Sequence, residues 1–328
     1  MAISRKEFRR IGVLTSGGDA PGMNPCIRAV VRTARSMGVE VLGIENGFEG
    51  LIHGNFRSLG ARDVGGILQR GGTFLQTARC KEFMELPGQI EAVRQMNNAG
   101  MEAIVVIGGD GSLQGGMTLV KRGIPVVGIP ASIDNDIFGT DMCIGVDTAL
   151  NTIVDAIDKL RDTASSHNSA FLVETMGRHS GYLAIQAGII TGAEMILVPE
   201  VATPPSDVVR AIEDAYRRGK SHAIVVIAEG YEPHTADLAK LIDSMDIGFN
   251  TRVSILGHIQ RGGKPSAFDR MLASRYGVWA VEALLSGQSG IMAGLQGREI
   301  VAVPLEEVIS QKRAISEEFI NMARVLSR

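Results

Sequence analysis

Apolar residues along this chain gather into short unbroken runs instead of alternating with polar ones. IGVLT (11–15), VEVLGI (39–44), AIVVIGG (103–109), IPVVGIP (124–130), AFLVET (170–175), MILVP (195–199), HAIVVIAEG (222–230) and RVSILG (252–257) are the clearest, and valine and isoleucine dominate them. Continuous apolarity over such a length predicts strands covered on both faces, as in a parallel sheet. Between the runs the period changes. From Asp147 to Leu160 the apolar positions 150, 153, 154, 157 and 160 follow the helical repeat, with Asp147 as the expected N-cap. Further helical patterns cover 23–36, 89–99, 205–218 and 266–286. Strand, helix, strand in succession gives right-handed crossovers and a doubly wound α/β architecture. At 328 residues the chain exceeds one average domain, and no low-complexity linker divides it. The expectation is two doubly wound, Rossmann-like lobes with mostly parallel sheets, packed closely, with the active site in the cleft between them.

Composition narrows the class without naming a chemistry. The apolar fraction of 45% and charged fraction of 21% are those of an ordinary globular protein. Thirty-three basic residues against 36 acidic ones give a net charge of -3 with no long basic run, which argues against a nucleic-acid partner. The polar opening MAISRKEFRR and the lack of any apolar stretch of spanning length argue against a signal peptide and a membrane partner, so a cytoplasmic protein is expected. Cys26, Cys80 and Cys143 are odd in number and far apart, and are read as reduced buried thiols.

In doubly wound sheets the functional loops lie at the carboxyl ends of strands, and that rule selects four segments. SGGDAPGMN (16–24) follows the first strand and leads into a helix whose amides can face an anion. GGDGS (108–112) follows AIVVI, PASIDND (130–136) closes another apolar run, and TMGR (175–178) follows AFLVE. A glycine pair alone is equally a tight turn. Two such loops, each with an aspartate, point to phosphate with a divalent metal, since Mg²⁺ takes one or two carboxylates and keeps several waters. Neither GxxxxGK[ST] nor GxGxxG with its acidic partner is present. Arginines sit in the loops as well, in RGGTFLQTAR (70–79), at Arg178 and Arg252, and in GHIQRGG (257–263), where guanidinium forks suit phosphate oxygens.

Six motifs in order, SGGDAPGMN, RGGT, GGDGS, SIDND, ETMGR and LGHIQRGG, closely resemble the bacterial ATP-dependent 6-phosphofructokinase family over Ile11 to Leu285. The resemblance implies a homotetramer of two-lobed subunits that transfers the γ-phosphoryl of MgATP to the 1-hydroxyl of fructose 6-phosphate. It implies a larger nucleotide lobe in 1–145 with about 260–312, and a smaller sugar-phosphate lobe in 146–259 with about 313–328. By the same resemblance Asp134 is the base, Asp136 and Asp110 hold Mg²⁺, and Ser132 and Arg178 orient or stabilise the transferred group. ATP falls to Gly18, Arg79, Cys80, Gly109, Asp110, Gly111 and Ser112. The sugar phosphate falls to Ser132, Asp134, Ser169, Met176, Gly177, Arg178, Glu229, Arg252, His258 and Arg261, with Arg252 reaching in from a neighbouring subunit. Arg28, Arg32, Arg161, Glu194, Arg218 and Lys220 match an effector site for ADP or phosphoenolpyruvate.

Some positions depart from that pattern. Gly111, where pyrophosphate-dependent relatives carry aspartate, leaves room for ATP, and Ala131 stands where ATP-dependent members have glycine. Cys80 replaces an aromatic ring near adenine, and Ala61 an effector-site arginine, with Arg62 adjacent. Ser169 replaces an arginine donated to the 6-phosphate, which implies a raised KM for fructose 6-phosphate, a displaced substitute arginine or another sugar phosphate. The alternatives are a pyrophosphate-dependent enzyme, a kinase of another sugar phosphate, a non-catalytic regulatory homologue, and the NAD-kinase and lipid-kinase superfamily, which shares only the GGDG loop.

Overall fold

Most of the apolar runs are strands whose side chains are buried on both faces. In the computed structural model, which describes residues 8–245 and 247–326, Ala103–Gly108, Val126–Pro130 and Ala223–Ala228 are buried at every position. The elements in chain order are β1 (Arg10–Ser16), α1 (Met23–Ser36), β2 (Glu40–Ile44), α2 (Gly47–His53), β3 (Phe56–Leu59), α3 (Leu86–Asn98), β4 (Ala103–Gly108), α4 (Asp110–Lys121), β5 (Val126–Pro130), α5 (Val146–His167), β6 (Ser169–Thr175), α6 (Tyr182–Thr191), β7 (Met195–Leu197), α7 (Pro205–Arg217), β8 (Ala223–Ala228), α8 (Thr235–Asp243), β9 (Asn250–Ile255), α9 (Ala267–Leu285), β10 (Ile291–Gln296), β11 (Glu299–Pro304), α10 (Leu305–Ser310) and α11 (Glu317–Leu326). They fall into two units, one drawn from Met1–Thr148 with Arg261–Arg313, the other from Ala149–Gln260 with Ala314–Arg328.

Among the described residues the first unit holds a seven-stranded sheet in the order β11-β10-β5-β4-β1-β2-β3. Its middle is parallel, and β3 and β11 are antiparallel edges. Helix α9 approaches α1 at Gly277, where a Cβ would stand 2.7 Å from that of Ala29 and 2.9 Å from the Cys26 carbonyl oxygen, so only glycine permits the contact. The second unit holds a four-stranded sheet, β7-β8-β6-β9, parallel throughout. Its core on one side is built from Leu172, Val225 and Ile227 of the strands against Val208, Ile212, Leu238 and Ile242 of the helices. Each such burial contributes roughly 1.5–3 kcal/mol.

Two readings of the pattern are corrected here, and one helix that the pattern did not show is added. Asp147 is not the cap of α5. It lies in the helix's first turn and accepts a hydrogen bond from Ser266 Oγ at 2.5 Å. The capping carboxylate is Asp269 of α9, fully buried, which accepts from Gly145 N (2.9 Å), Thr148 N (2.8 Å) and Thr148 Oγ1 (2.5 Å). A cap supplied from a distant helix leaves no trace at the helix start. β9 is an edge strand, so Ile255 (62%) and Val253 (39%) stand exposed. Helix α6 escapes the periodicity test because it is apolar on nearly every side, with Tyr182, Leu183, Ala184, Ile185, Ala187 and Gly188 all buried.

Burial pushes the Asp269 carboxyl up to about 6 from its ordinary 3.8, with the hydrogen bonds from Thr148 and Gly145 opposing the shift. The folded protein therefore holds this proton more tightly than the unfolded chain. Its contribution to stability is full below pH 3.8 and is lost as pH rises through about 6. Asp269→Asn has no such titration. The unfolding temperature of the parent minus that of Asp269→Asn is expected to fall between about pH 4 and pH 7, by the equivalent of about 3 kcal/mol. A difference that is flat with pH would assign Asp269 no protonation change on folding.

Candidate active site

Register in the first sheet puts three loops on one level. Ser16 pairs with Gly108, and Gly108 with Pro130, so SGGD, GGDGS and PASIDND all leave the carboxyl edge at the same height. β1 lies between β2 and β4, so the chain runs outward on one side of β1 and returns on the other. The loops after β1 and β4 therefore diverge and open a crevice. Gly108 is required there: a Cβ would stand 2.5 Å from both Ser112 Oγ and the Ser16 carbonyl oxygen.

The RGGTFLQTAR segment is bound to the same edge. Asn24 Oδ1 accepts from Phe74 N (2.6 Å) and its Nδ2 donates to Arg70 O (3.0 Å). Thr73 Oγ1 donates to Thr15 Oγ1 (2.8 Å), and Thr77 Oγ1 to Gly17 O (2.8 Å). These bonds bring Arg79 and Cys80 to the wall of a cavity of ≈ 720 Å³, which also takes in Gly18, Gly109, Asp110, Gly111, Ser112, Ser132, Asp134 and Asp136. Cys80 is half-buried, which corrects the expectation of three buried thiols; Cys26 and Cys143 are buried, and burial pushes both thiols up. Arg261 was expected among the sugar-phosphate residues. It lines this cavity together with Ser132 and Asp134 of the same expected set, because the 3₁₀ turn Gly257–Arg261 ends with its guanidinium over Gly18, where a Cβ would stand 2.3 Å from Nη1.

Asn135 separates the two aspartates by turning inward. Its backbone is left-handed (φ 50°), its Oδ1 accepts from Cys143 N (2.9 Å) and its Nδ2 donates to Asp141 O (3.2 Å). The segment after α10 clamps the loop: Arg313 N donates to Asp136 O (3.1 Å) and its Nη1 to Asp141 O (2.6 Å). Asp134 and Asp136 are left half-buried on the cavity wall, with Ser132 Oγ donating to Asp136 Oδ1 at 3.2 Å. The Asp110 carboxyl is pushed up, first by burial and then by the charge of Asp136, with Lys312 at 3.9 Å opposing.

Among the buried polar atoms on this cavity that the described residues leave without a hydrogen-bond partner are the acceptor Asp110 Oδ1 and the donor Arg261 Nε. An unsatisfied buried group costs about 1–3 kcal/mol, so each is a demand for a ligand. Two hard carboxylates with an open oxygen fit Mg²⁺, which completes its shell with water and phosphate. Among the described residues no cluster of three or more His, Cys, Asp or Glu side chains forms an all-protein metal cage.

The second unit repeats the arrangement. Thr175 pairs with Ala228 and Glu174 with Ile255, so the loops carrying Met176–Arg178, Glu229 and His258 also start on one level. Met176 N donates to Gln260 Oε1 (3.2 Å) and Glu229 N to Thr175 O (2.9 Å). Gly177 has φ 130°, and a Cβ there would stand 2.2 Å from the Ser180 carbonyl oxygen. Arg178 and Glu229 share a cavity of ≈ 560 Å³ with His179 and His234. Ser169 and Arg252 share another of ≈ 330 Å³ with His167 and Asn250. His258 is exposed on its 3₁₀ turn.

Of the six expected effector residues the second unit brings three together. Buried Glu194 accepts from Lys220 Nζ (2.8 Å) and from Ile224 N (2.6 Å). Arg161 donates to Thr191 O and lies 3.3 Å from His222 Nε2. His222 was missed in the sequence, where it has no period or motif to mark it. Its imidazolium is disfavoured, first by burial, with Arg161 and Lys220 adding to the shift and Glu194 opposing it. Arg218 is exposed just after α7, while Arg28 and Arg32 are on α1 of the first unit.

A family model described as phosphofructokinase matches residues 10–284. The chain belongs to the phosphofructokinase family. It is 52% identical to the ATP-dependent 6-phosphofructokinase of Thermotoga neapolitana over 98% of this chain and 100% of that one. It is 50% identical to ATP-dependent 6-phosphofructokinase 1 of Thermus thermophilus, again over 98% and 100%. Among solved structures it resembles the phosphofructokinase of Pichia pastoris in the T-state, with a TM-score of 0.88 and 37% identity; 98% of this chain is covered but only 37% of that one. Among the described residues no helix is long and apolar enough to cross a membrane.

Because a Cβ at Gly108 meets backbone as well as side chain, Gly108→Ala is expected to lower stability by about 1–3 kcal/mol. It should also displace the Gly109–Ser112 turn. Denaturant titration beside nucleotide binding checks this, and unchanged values in both would refute the close-approach argument.

Proposed function

We propose that this member of the phosphofructokinase family transfers the γ-phosphoryl of MgATP to the 1-hydroxyl of fructose 6-phosphate, giving the 1,6-bisphosphate and ADP. The observation that carries the reading is the pair of unsatisfied buried atoms on one cavity, an acceptor at Asp110 and a donor at Arg261. A metal–phosphate ligand answers both demands at once. The relatives' names agree with this.

In this reading Asp110 and Asp136 hold Mg²⁺, which would neutralise charge on the nucleotide phosphates. Gly18, Arg79 and the turn of Gly109, Gly111 and Ser112 hold the phosphates at the start of α4, where the helix dipole favours an anion. Cys80 borders the base. Asp134 takes the proton from the sugar hydroxyl, Ser132 orients the transferred group, and Arg178 balances its charge. Sugar-phosphate recognition falls to Met176, Gly177, Arg178, Glu229, Arg252 and His258, with Ser169 standing beside Arg252 in their shared cavity. Arg28, Arg32, Arg161, Glu194, Arg218 and Lys220 form a site for an anionic effector, ADP or phosphoenolpyruvate, in a homotetramer working in the cytoplasm.

ATP is assigned as the donor because Gly111 opens onto free space, with nothing within 4 Å of an added Cβ. Purified protein should turn over fructose 6-phosphate with MgATP and not with Mg-pyrophosphate. Asp134→Ser should lower kcat by roughly 10²–10⁴-fold, the usual worth of a general base. Turnover with pyrophosphate would overturn the donor assignment, and full activity in Asp134→Ser would remove Asp134 as base.

Ser169 supplies no charge beside Arg252. Ser169→Arg is expected to lower KM for fructose 6-phosphate by roughly tenfold or more, the worth of one charge-assisted contact. An unchanged KM would show that the native serine costs the site nothing.

A further inference from the structure

The ≈ 720 Å³ cavity has two unlike ends. One is the glycine-rich, charged end already described. The other is walled by Phe48, Phe83 and Met84, with Thr118 and Gly115 beside them. The rings of Phe48 and Phe83 stack with centroids 4.3 Å apart and an interplanar angle of 23°. A Cβ at Gly115 would stand 2.5 Å from the Phe48 ring, so glycine at that position lets the ring press on α4. Phe83 and Met84 belong to a single 3₁₀ turn, Glu82–Met84, and one short turn cannot hold an aromatic wall in place by itself.

What holds the turn is Gln89, in the first part of α3. Its Nε2 donates to Phe83 O (3.2 Å) and Met84 O (3.3 Å), while its Oε1 accepts from Arg122 Nε (3.2 Å) and Nη2 (2.7 Å). The guanidinium can only donate and the two carbonyls can only accept. An amide therefore satisfies all four contacts, and a carboxylate satisfies only the two to Arg122. The neighbouring Gly88 strengthens the seating, since a Cβ there would stand 2.3 Å from the Glu82 carbonyl oxygen. Arg122 is the residue just after α4, the helix whose other end carries Asp110 and Ser112. One helix, about 18 Å long at about 1.5 Å per residue, thus fixes the charged end at its start and the aromatic end, through Gln89, at its finish.

We propose that Gln89 is a positioning residue for the nucleotide base: it sets the Phe83–Met84 wall at the distance from the phosphate end that the base of the donor requires. This rests on the donor reading above, and it concerns the base alone. Gln89→Glu keeps the Arg122 contact and turns a carboxylate toward two carbonyl oxygens. Arg122→Met leaves the glutamine in place without its anchor.

Calorimetry with MgADP, which has a base, and Mg-tripolyphosphate, which has none, separates positioning from general loosening. Gln89→Glu should weaken MgADP about fivefold or more, the worth of one or two hydrogen bonds, and leave tripolyphosphate within about twofold. Arg122→Met should do the same to a smaller degree, and stands as the test should Gln89→Glu not fold. In turnover, KM for ATP should rise by a similar factor while kcat and KM for fructose 6-phosphate stay within about twofold. Equal weakening of both ligands, or unchanged MgADP binding in both variants, overturns the proposal. A parent protein that binds neither ligand overturns the donor reading and the proposal with it.

Discussion

Parallel strands in register end together, and everything chemical in this molecule follows from that. A strand buried on both faces offers no side chain to solvent, so polar residues are forced to the loops at its ends. With Ser16, Gly108 and Pro130 paired across β1, β4 and β5, three loops far apart in sequence emerge at one height. The constraint also dictates residue type. At that level the chains are close enough that Gly108 admits no side chain, and the same crowding recurs at Gly177 in the second unit, against Ser180. Gly108 and Gly177 are consequences of packing, whereas Gly111, with nothing within 4 Å of an added Cβ, leaves room for an anion at the start of α4.

Charge is the second theme, and it is arranged with a deliberate imbalance. Asp110 and Asp136 are close enough for the charge of one to raise the carboxyl of the other, and Lys312 answers only in part. Partly buried carboxylates in this state cost stability unless a cation joins them. Arg261 carries the complementary deficit. Asp269 shows the contrast. It is more deeply buried, yet three donors satisfy it, and its task is to start α5. Degree of burial alone does not separate a binding carboxylate from a structural one; the presence of an open oxygen does.

Much of this was legible in the sequence, for identifiable reasons. Strands buried on both faces write themselves as unbroken apolar runs, and α1 and α7 show clear helical periods. The motif residues from Gly18 to Asp136 fell where strand ends predict. The rest was hidden by physics that a local window does not contain. Helix α6 lacks a period because it is enclosed. The hairpin of β10 and β11 turns at Gly297 (φ 61°), a signal present in GLQGREIVAV but weaker than the long runs around it. Asp147 had the composition of a cap while the true cap, Asp269, stands on α9, far along the chain. Gln89, His222 and Lys312 belong to no motif, since each acts through contacts to segments distant in the chain.

Backbone conformation supplies the last link between packing and chemistry. Few residues other than glycine adopt left-handed backbone, at a cost of roughly 1–3 kcal/mol each, so such positions need compensation. Asn135 receives it from its side chain, which bonds both Asp141 and Cys143. Gln76 (φ 60°) receives it from its backbone: its N–H donates to Thr73 O at 3.1 Å and its carbonyl accepts from Thr15 Oγ1 at 2.9 Å. The two sites stand in the loops that bring Asp134, Asp136, Arg79 and Cys80 to the cavity. An ordinary backbone at Asn135 would release its hold on 141–143 and swing both aspartates. At Gln76 it would break the tie to β1 and carry Arg79 away from the phosphate end. The strain at these two residues is located where direction of the chain matters more than its local comfort, in the loops that carry Asp134, Asp136, Arg79 and Cys80 to the cavity.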